Sequence, residues 1–326
     1  MAIEASDSGG LICGFALRNA EPALPLQGGP QVPTATTPLW LHFNLADTRA
    51  TKWIESCELL PAGARELLLS HDTHVRQEAA GHGLALVIGD LHHDFDGDPE
   101  GVGTLRIYID KQIIVTGRRH PLRTVDRLRR MLGAGPVVAS TGDLFAMLIE
   151  ELAETFQWEV KQLGEVVDEA EDDILAGRVH DRGTELGGIR RLMARLRRHI
   201  NSGRQALAQG VHQAYRWAGN DDISDARQAV EHLDSIAQDL ELVQERARLL
   251  QEEIAARLGE ATNRNLYLLS VMTTVLLPIN LITGIFGMNT GGLPWAQDEH
   301  GFWRVLIFMS IGVVVSLNVL HRRQIL

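Results

Sequence analysis

The sequence predicts an α+β membrane protein: an N-terminal cytoplasmic α/β domain, a long helical hairpin, a stalk helix and two C-terminal transmembrane helices. Three observations predict it. Strand-like runs alternate with helical stretches between residues 38 and 119, the chain holds neither glycine nor proline from Asp222 to Leu258, and two long apolar runs lie near its end.

Composition narrows the classes of function. At 326 residues the chain has room for two or three structural parts. Its 42 acidic against 31 basic residues leave a net charge of −11, which argues against a nucleic-acid binder with its basic face. Cys13 and Cys57 have no CxxC spacing and build neither a thiolate metal cage nor a disulfide framework, so a reduced, cytoplasmic setting is expected. The start, MAIEASDSGG, is acidic and lacks the basic region and apolar core of a cleaved signal.

Residues 1–37 read as an N-terminal extension. The α/β domain is placed at 38–140, on the runs LWLHFNL, LALVIGDL, TLRIYID and QIIVTGR, with a tight turn at Asp110 and Lys111. A basic amphipathic helix from Leu122 to Leu132 ends at a break around Gly135 and Pro136. The helical hairpin follows at 141–221. Asp143 is expected to cap a helix reaching about Ala176, Gly177 and Gly183 bracket a turn, and a second helix returns from about Thr184 to Trp217. The acidic run Asp168, Glu169, Glu171, Asp172 and Asp173 invites a cation-binding reading. Self-neutralisation by Arg190, Arg191 and Arg195 of the returning helix is the favoured one.

The stalk helix is placed at 222–287. Val230, Leu233, Ala237, Leu240, Ala247, Ile254 and Leu258 form a three-four seam, with Gln244 and Gln251 at two of its positions. A coiled-coil spacer would show the same seam. The helix is expected to continue into the first span, about 266–287, because Leu266 to Phe286 carries no ionised side chain and covers the roughly 30 Å hydrocarbon layer at about 1.5 Å per residue. An outer loop at 288–302, a second span at 303–321 and a tail at 322–326 complete the chain. Phe302 and Trp303 suit the interface, and Arg304 is expected to snorkel toward headgroups. Arg264, Arg322 and Arg323 flank the spans, while Asp298 and Glu299 sit between them without lysine or arginine, which predicts both termini on the cytoplasmic side.

Within the first span Thr273, Leu277, Asn280 and Gly284 recur at intervals of four, three and four and share one face. Around a common axis they would give rings of hydroxyl and amide oxygen separated by an apolar ring at Leu277, a candidate dewetting gate. The other reading is a small-residue packing face. Pro278 leaves the carbonyl of Thr274 without its helical partner. Elsewhere His92, His93 and Asp94, with Asp96 and Asp98 following, are a candidate zinc site, and His71, Asp72 and His74 form a smaller group. A solvated hairpin loop is the favoured reading, since Pro99 and Leu105 spoil an EF-hand match. Asp298, Glu299 and His300 are candidates for enriching cations near the outer mouth. No P-loop, GxSxG or HExxH is present, so neither an ATP-driven pump nor an enzyme is expected, and no cofactor.

At the outer end of the first span stand Gly287, Met288 and Asn289. A Gly-Met-Asn tripeptide at that point, with Pro278 in the helix before it and a basic tail, resembles the CorA family of metal-ion transporters, and the order of parts agrees along the whole chain. The resemblance implies a homopentamer in the lipid bilayer of the bacterial inner membrane, with Gly287, Met288 and Asn289 ringing the outer mouth and holding a hydrated divalent cation. Asn263 is similar to the family's inner pore asparagine. Magnesium-type members follow the tripeptide with an acidic Met-Pro-Glu stretch, whereas Thr290, Gly291, Gly292, Leu293 and Pro294 stand here. That neutral loop, LHRRQIL and WLHFNLAD resemble the ZntB branch. Zinc is therefore the expected transported ion, with proton coupling plausible by resemblance. A magnesium or cobalt channel is the alternative, and a membrane-anchored sensor a distant one.

Overall fold

The computed structural model describes residues 9–19, 21–30, 37–94, 101–178, 182–214, 218–288, 293–295 and 298–322. Two compact units divide the chain, Met1–Gln251 and Glu252–Leu326.

The first unit is built on a seven-stranded sheet. Its strands are β1 (Leu11–Arg18), β2 (Glu21–Pro25), β3 (Leu39–Asn44), β4 (Arg76–Ala80), β5 (Gly83–Leu91), β6 (Val102–Ile109) and β7 (Ile113–Arg118), in spatial order β2-β1-β3-β7-β6-β5-β4. Only β3 and β7 run parallel, with Trp40 beside Ile114 and His42 beside Thr116. The N-terminal stretch expected to lie outside this domain supplies two of its strands, β1 joining directly to β3. The runs near Leu11 and Glu21 lack clean alternation, which hid them from a period-2 reading. The Asp110 turn forms as expected, its carboxylate accepting from the backbone N–H groups of Gln112 and Ile113.

Alternation along each strand divides the side chains between two faces. Leu41, Phe43, Ala85, Val87, Tyr108 and Val115 face a core closed by α1 (Thr48–Ser56) and α2 (Ala62–Leu69). The opposite face is covered by α3 (Arg123–Gly133), α4 (Thr141–Leu175) and α5 (Arg182–Ala214). There Gly210 of α5 rides on Leu84 and Leu86 of β5, so closely that a Cβ would lie 2.8 Å from Leu84.

Two local expectations change. Ser140, not Asp143, is the N-cap of α4: its hydroxyl accepts from Asp143 N–H at 2.9 Å while the Asp143 carboxylate reaches back to Ala139 N–H. A reciprocal pair of this kind satisfies two orphan donors at once. The acidic run on α4 is neutralised mainly from α6 (Asn220–Phe286), whose Arg246 reaches both Asp168 and Glu171 at 2.7 Å; Asp173 pairs with Arg178 in the turn. The arginines of α5 turn instead to other partners, Arg190 to Gln251 and Arg197 to Glu241. The seam positions Val230, Leu233, Ala237, Leu240 and Ala247 are buried. Gly177 adopts φ +80 at the hairpin turn, and Gly183, expected to bracket that turn, already belongs to α5.

The second unit holds the remainder of α6 and α7 (Gly301–Arg322). Both are long and apolar enough to cross a membrane, and neither apolar window is buried.

Candidate functional site: the first apolar span and the turn that ends it

The packing of the two apolar helices sorts the faces of α6. Tyr267, Val271, Thr274, Val275, Pro278, Ile279, Ile282 and Phe286 are partly or fully covered, and on α7 Val305, Met309, Gly312, Val313 and Ser316 are the less exposed ones after Gly301. Contact is close where Gly312 meets Pro278, since a Cβ there would sit 3.6 Å from the proline ring. Small and shape-matched residues at such a crossing let membrane helices approach. At about 100° per residue, Thr273, Leu277, Asn280 and Gly284 lie roughly half a turn away from that covered face. All four are exposed, as is Asn263. Packing between α6 and α7 therefore does not account for the stripe.

The hydroxyl of this face is oriented by the helix itself. Thr273 donates its hydroxyl to the carbonyl of Leu269 at 2.8 Å, so its oxygen presents lone pairs, not a proton, to the open side. Thr283 does the same toward Ile279 at 2.6 Å. Beyond them α6 ends: Gly287 N–H donates to Thr283 at 2.8 Å and Met288 N–H to Ile285 at 3.3 Å. Met288 is exposed. Asn289, the third residue of the tripeptide, and Thr290 to Gly292 lie outside the described residues.

On the far side of the loop, Trp295 holds a left-handed φ of 63°. Gly301 is required there because a Cβ would stand 2.3 Å from the Trp295 carbonyl. Asp298 accepts from His300 N–H at 3.0 Å and pairs with Arg304. This pairing alters two expectations: Arg304 is held by a carboxylate in the loop, and that carboxylate is already neutralised, leaving Glu299 as the acidic side chain of the expected trio. Phe302 and Trp303 are exposed, as interface residues would be.

Among the described residues the candidate zinc positions have different neighbours. The His92 ring lies tilted 5.3 Å from that of His120, whereas His93 turns to Asp126 at 3.4 Å. In the second small group, Asp72 is bound by His74 and Arg76. Among the described residues no three His, Cys, Asp or Glu side chains form a group fit for a metal ion, and Asp96 and Asp98 lie outside them.

A buried polar network in the sheet escaped the sequence reading. Trp40 Nε1–H donates to Thr116 Oγ1 at 2.9 Å, His42 Nδ1 meets the same oxygen at 2.8 Å, and Arg118 Nε–H points at His42 Nε2 at 3.2 Å. Arg118 can only donate, so Nε2 accepts and Nδ1 carries the proton. Burial first, then the Arg118 and Arg129 charges, push the imidazole down to about 3. Asp90 is the converse case: burial lifts it to about 7 against the hydrogen bonds of Thr124 and Leu91. Alternation placed both residues on a strand, but nothing local marks a buried histidine.

Two apolar helices able to cross a membrane, one of them with an exposed polar stripe, follow the α/β domain in the chain, the order of parts of a membrane protein. The chain belongs to the family described as CorA-like Mg2+ transporter protein, which residues 36–322 match. It is similar to the divalent cation transporter CmaX of Pseudomonas aeruginosa, 28% identical over 97% of this chain and 96% of that one. Similarity also extends to the zinc transport protein ZntB of Yersinia enterocolitica, 26% identical over 86% of this chain and 87% of the relative. The structure of full-length CmaX superposes with a TM-score of 0.83 at 26% identity, covering 98% of this chain and 99% of that one. The CorA magnesium transporter of Methanocaldococcus jannaschii shares the fold with a TM-score of 0.78 at 16% identity, over 97% and 99%.

Proposed function

We propose that this chain carries zinc and related divalent transition-metal ions across the bacterial inner membrane, as a homopentamer whose pore is lined by Asn263, Thr273, Leu277, Asn280 and Gly284. Gly287, Met288 and Asn289 form the ring that receives the hydrated cation at the outer mouth, and both termini lie in the cytoplasm. The observation that carries the reading is the exposed stripe on α6, which α7 leaves uncovered. Carbonyl and amide oxygens hold a cation through its water shell and so avoid the large cost of stripping a small divalent ion. Thr273 contributes an oxygen whose proton is already committed to Leu269. Leu277 interrupts the polar path with a ring that closes by expelling water. With neither histidine nor cysteine in the span, the pore does not bind zinc directly, so zinc preference rests on the neutral outer loop and the likeness to relatives named for zinc.

The family description names magnesium, which supports a second reading: a magnesium channel with a neutral mouth. Flux of zinc and of magnesium into liposomes holding the purified protein, with and without an acidic exterior, separates them. Zinc flux enhanced by the proton gradient is the expected result. Magnesium flux indifferent to pH overturns zinc preference and proton coupling together.

A further inference from the structure

Most arginines along the helices of the first unit meet a carboxylate: Arg127 meets Glu151, Arg197 meets Glu241 and Arg204 meets Asp234. Arg106 and Arg119 depart from that pattern. Arg106 lies within β6, 1% exposed, on the same face as Tyr108. Its Nη2 donates to the carbonyl of Asp72 at 2.9 Å. Arg119, just beyond β7, donates through Nη2 toward the carbonyls of Leu69 and Ser70, 3.3 and 3.4 Å away at the end of α2. The Nε–H of each is buried without an acceptor. Among the described residues neither guanidinium has a carboxylate within ion-pair distance.

The third member is Arg76, which reaches the Asp72 carboxylate at 2.9 Å and Glu78 at 3.0 Å. Arg119 and Arg76 are near enough to Arg106 to press its pKa down, after burial, and Asp72 alone pulls it back. That carboxylate is already shared between Arg76 and His74. A guanidinium does not escape burial by losing its proton, so the cost of a buried unpaired charge stands until an anion meets it.

We propose that Arg76, Arg106 and Arg119 form a binding site for a phosphate-class tetrahedral oxyanion beneath the segment 70–75. Carbonyls of Leu69 and Ser70 hold the Nη2 of Arg119 and the carbonyl of Asp72 holds that of Arg106, which fixes both forks in place. The remaining donors of a fork are planar and parallel, a geometry that matches two oxygens of one anion better than a halide. In a chain of net charge −11 the general field repels anions, so the recruitment is local. The segment 70–75 has no regular structure, and His71, Thr73 and His74 on it are exposed.

The test is equilibrium binding and thermal melting of the full-length protein in detergent, titrated with inorganic phosphate at constant ionic strength and repeated with chloride and with AMP. Saturable binding of one phosphate per chain is expected, with a rise in melting temperature that chloride does not reproduce. Arg119→Gln should weaken phosphate at least tenfold yet melt no lower than the parent in phosphate-free buffer, an outcome a purely structural arginine would not give. AMP binding as well as phosphate assigns the site to a phosphoryl group on a larger molecule; AMP excluded assigns it to the free ion. No saturable phosphate binding, equal stabilisation by chloride, or full affinity in Arg119→Gln overturns the proposal. Should Arg119→Gln fail to fold, Arg76→Gln at the rim takes its place under the same criteria.

Discussion

Replacing His42 with asparagine should change how the first unit responds to acid. His42 is neutral in the fold and pushed down to about 3, against an ordinary value near 6.5. The unfolded chain therefore binds the extra proton as pH falls below 6.5, and stability is lost progressively until pH reaches the folded value. Between pH 7.5 and 5.0 that amounts to about 2 kcal/mol of destabilisation. Asp90 works in the opposite sense. Raised to about 7, it takes up its proton in the fold first, so the same change in pH restores stability of similar size, about 2–3 kcal/mol. In the parent protein the two effects nearly cancel and the melting temperature should be almost flat. His42→Asn keeps a donor toward Thr116 but cannot titrate, so its melting temperature should rise on acidification. The gap between the two slopes should reach about 4–8 °C, at 2–4 °C per kcal/mol for a unit of this size. Tryptophan fluorescence of the full-length protein in detergent reads it out, because buried Trp40 lies 6.2 Å from the His42 ring. Parallel slopes in the two proteins would refute the reasoning.

Three further outcomes follow from the spans. Asn289→Ala should abolish metal uptake into liposomes while the oligomer, checked by size-exclusion chromatography, persists; uptake at the parental rate removes the tripeptide's assigned role. Leu277→Thr, by wetting the apolar ring, should raise basal zinc leak at least tenfold at unchanged surface expression, and a tight variant would move the gate elsewhere. Gly312→Leu adds a branched side chain beyond a Cβ already in contact with Pro278 at 3.6 Å; about 1–3 kcal/mol of overpacking should lower thermal stability in detergent, whereas Val314→Leu on the exposed face should not.

The parts of the molecule that were legible in sequence are those where one physical requirement acts along a contiguous stretch. Leu266 to Phe286 must be apolar to cross a membrane, and Val230 to Ala247 must repeat to pack, so each writes itself into composition. Features made by residues distant in the chain were opaque. Thr116 joins Trp40 and His42 across more than seventy positions, and no local pattern announces the pairing. Arg246 reaching Asp168 likewise depends on which helices sit side by side, which neither helix encodes alone. The N-cap was missed for a smaller reason: Ser140 and Asp143 both fit the role by type, and only the reciprocal bonding to Asp143 and Ala139 N–H decides between them. In the candidate site the stripe could be found by periodicity, but whether it packs against the second span could not. That answer came from Pro278 and Gly312.

The commitment of the Thr273 hydroxyl to Leu269 has a consequence for anions. A free hydroxyl welcomes either sign of charge, offering its oxygen to a cation and its hydrogen to chloride. With the hydrogen spent on the helix, only the oxygen is left to greet an arriving ion. In the proposed pore a ring of such groups would discourage chloride without bearing any formal charge, and so would discriminate by sign with no carboxylate that a divalent metal would bind too tightly to leave.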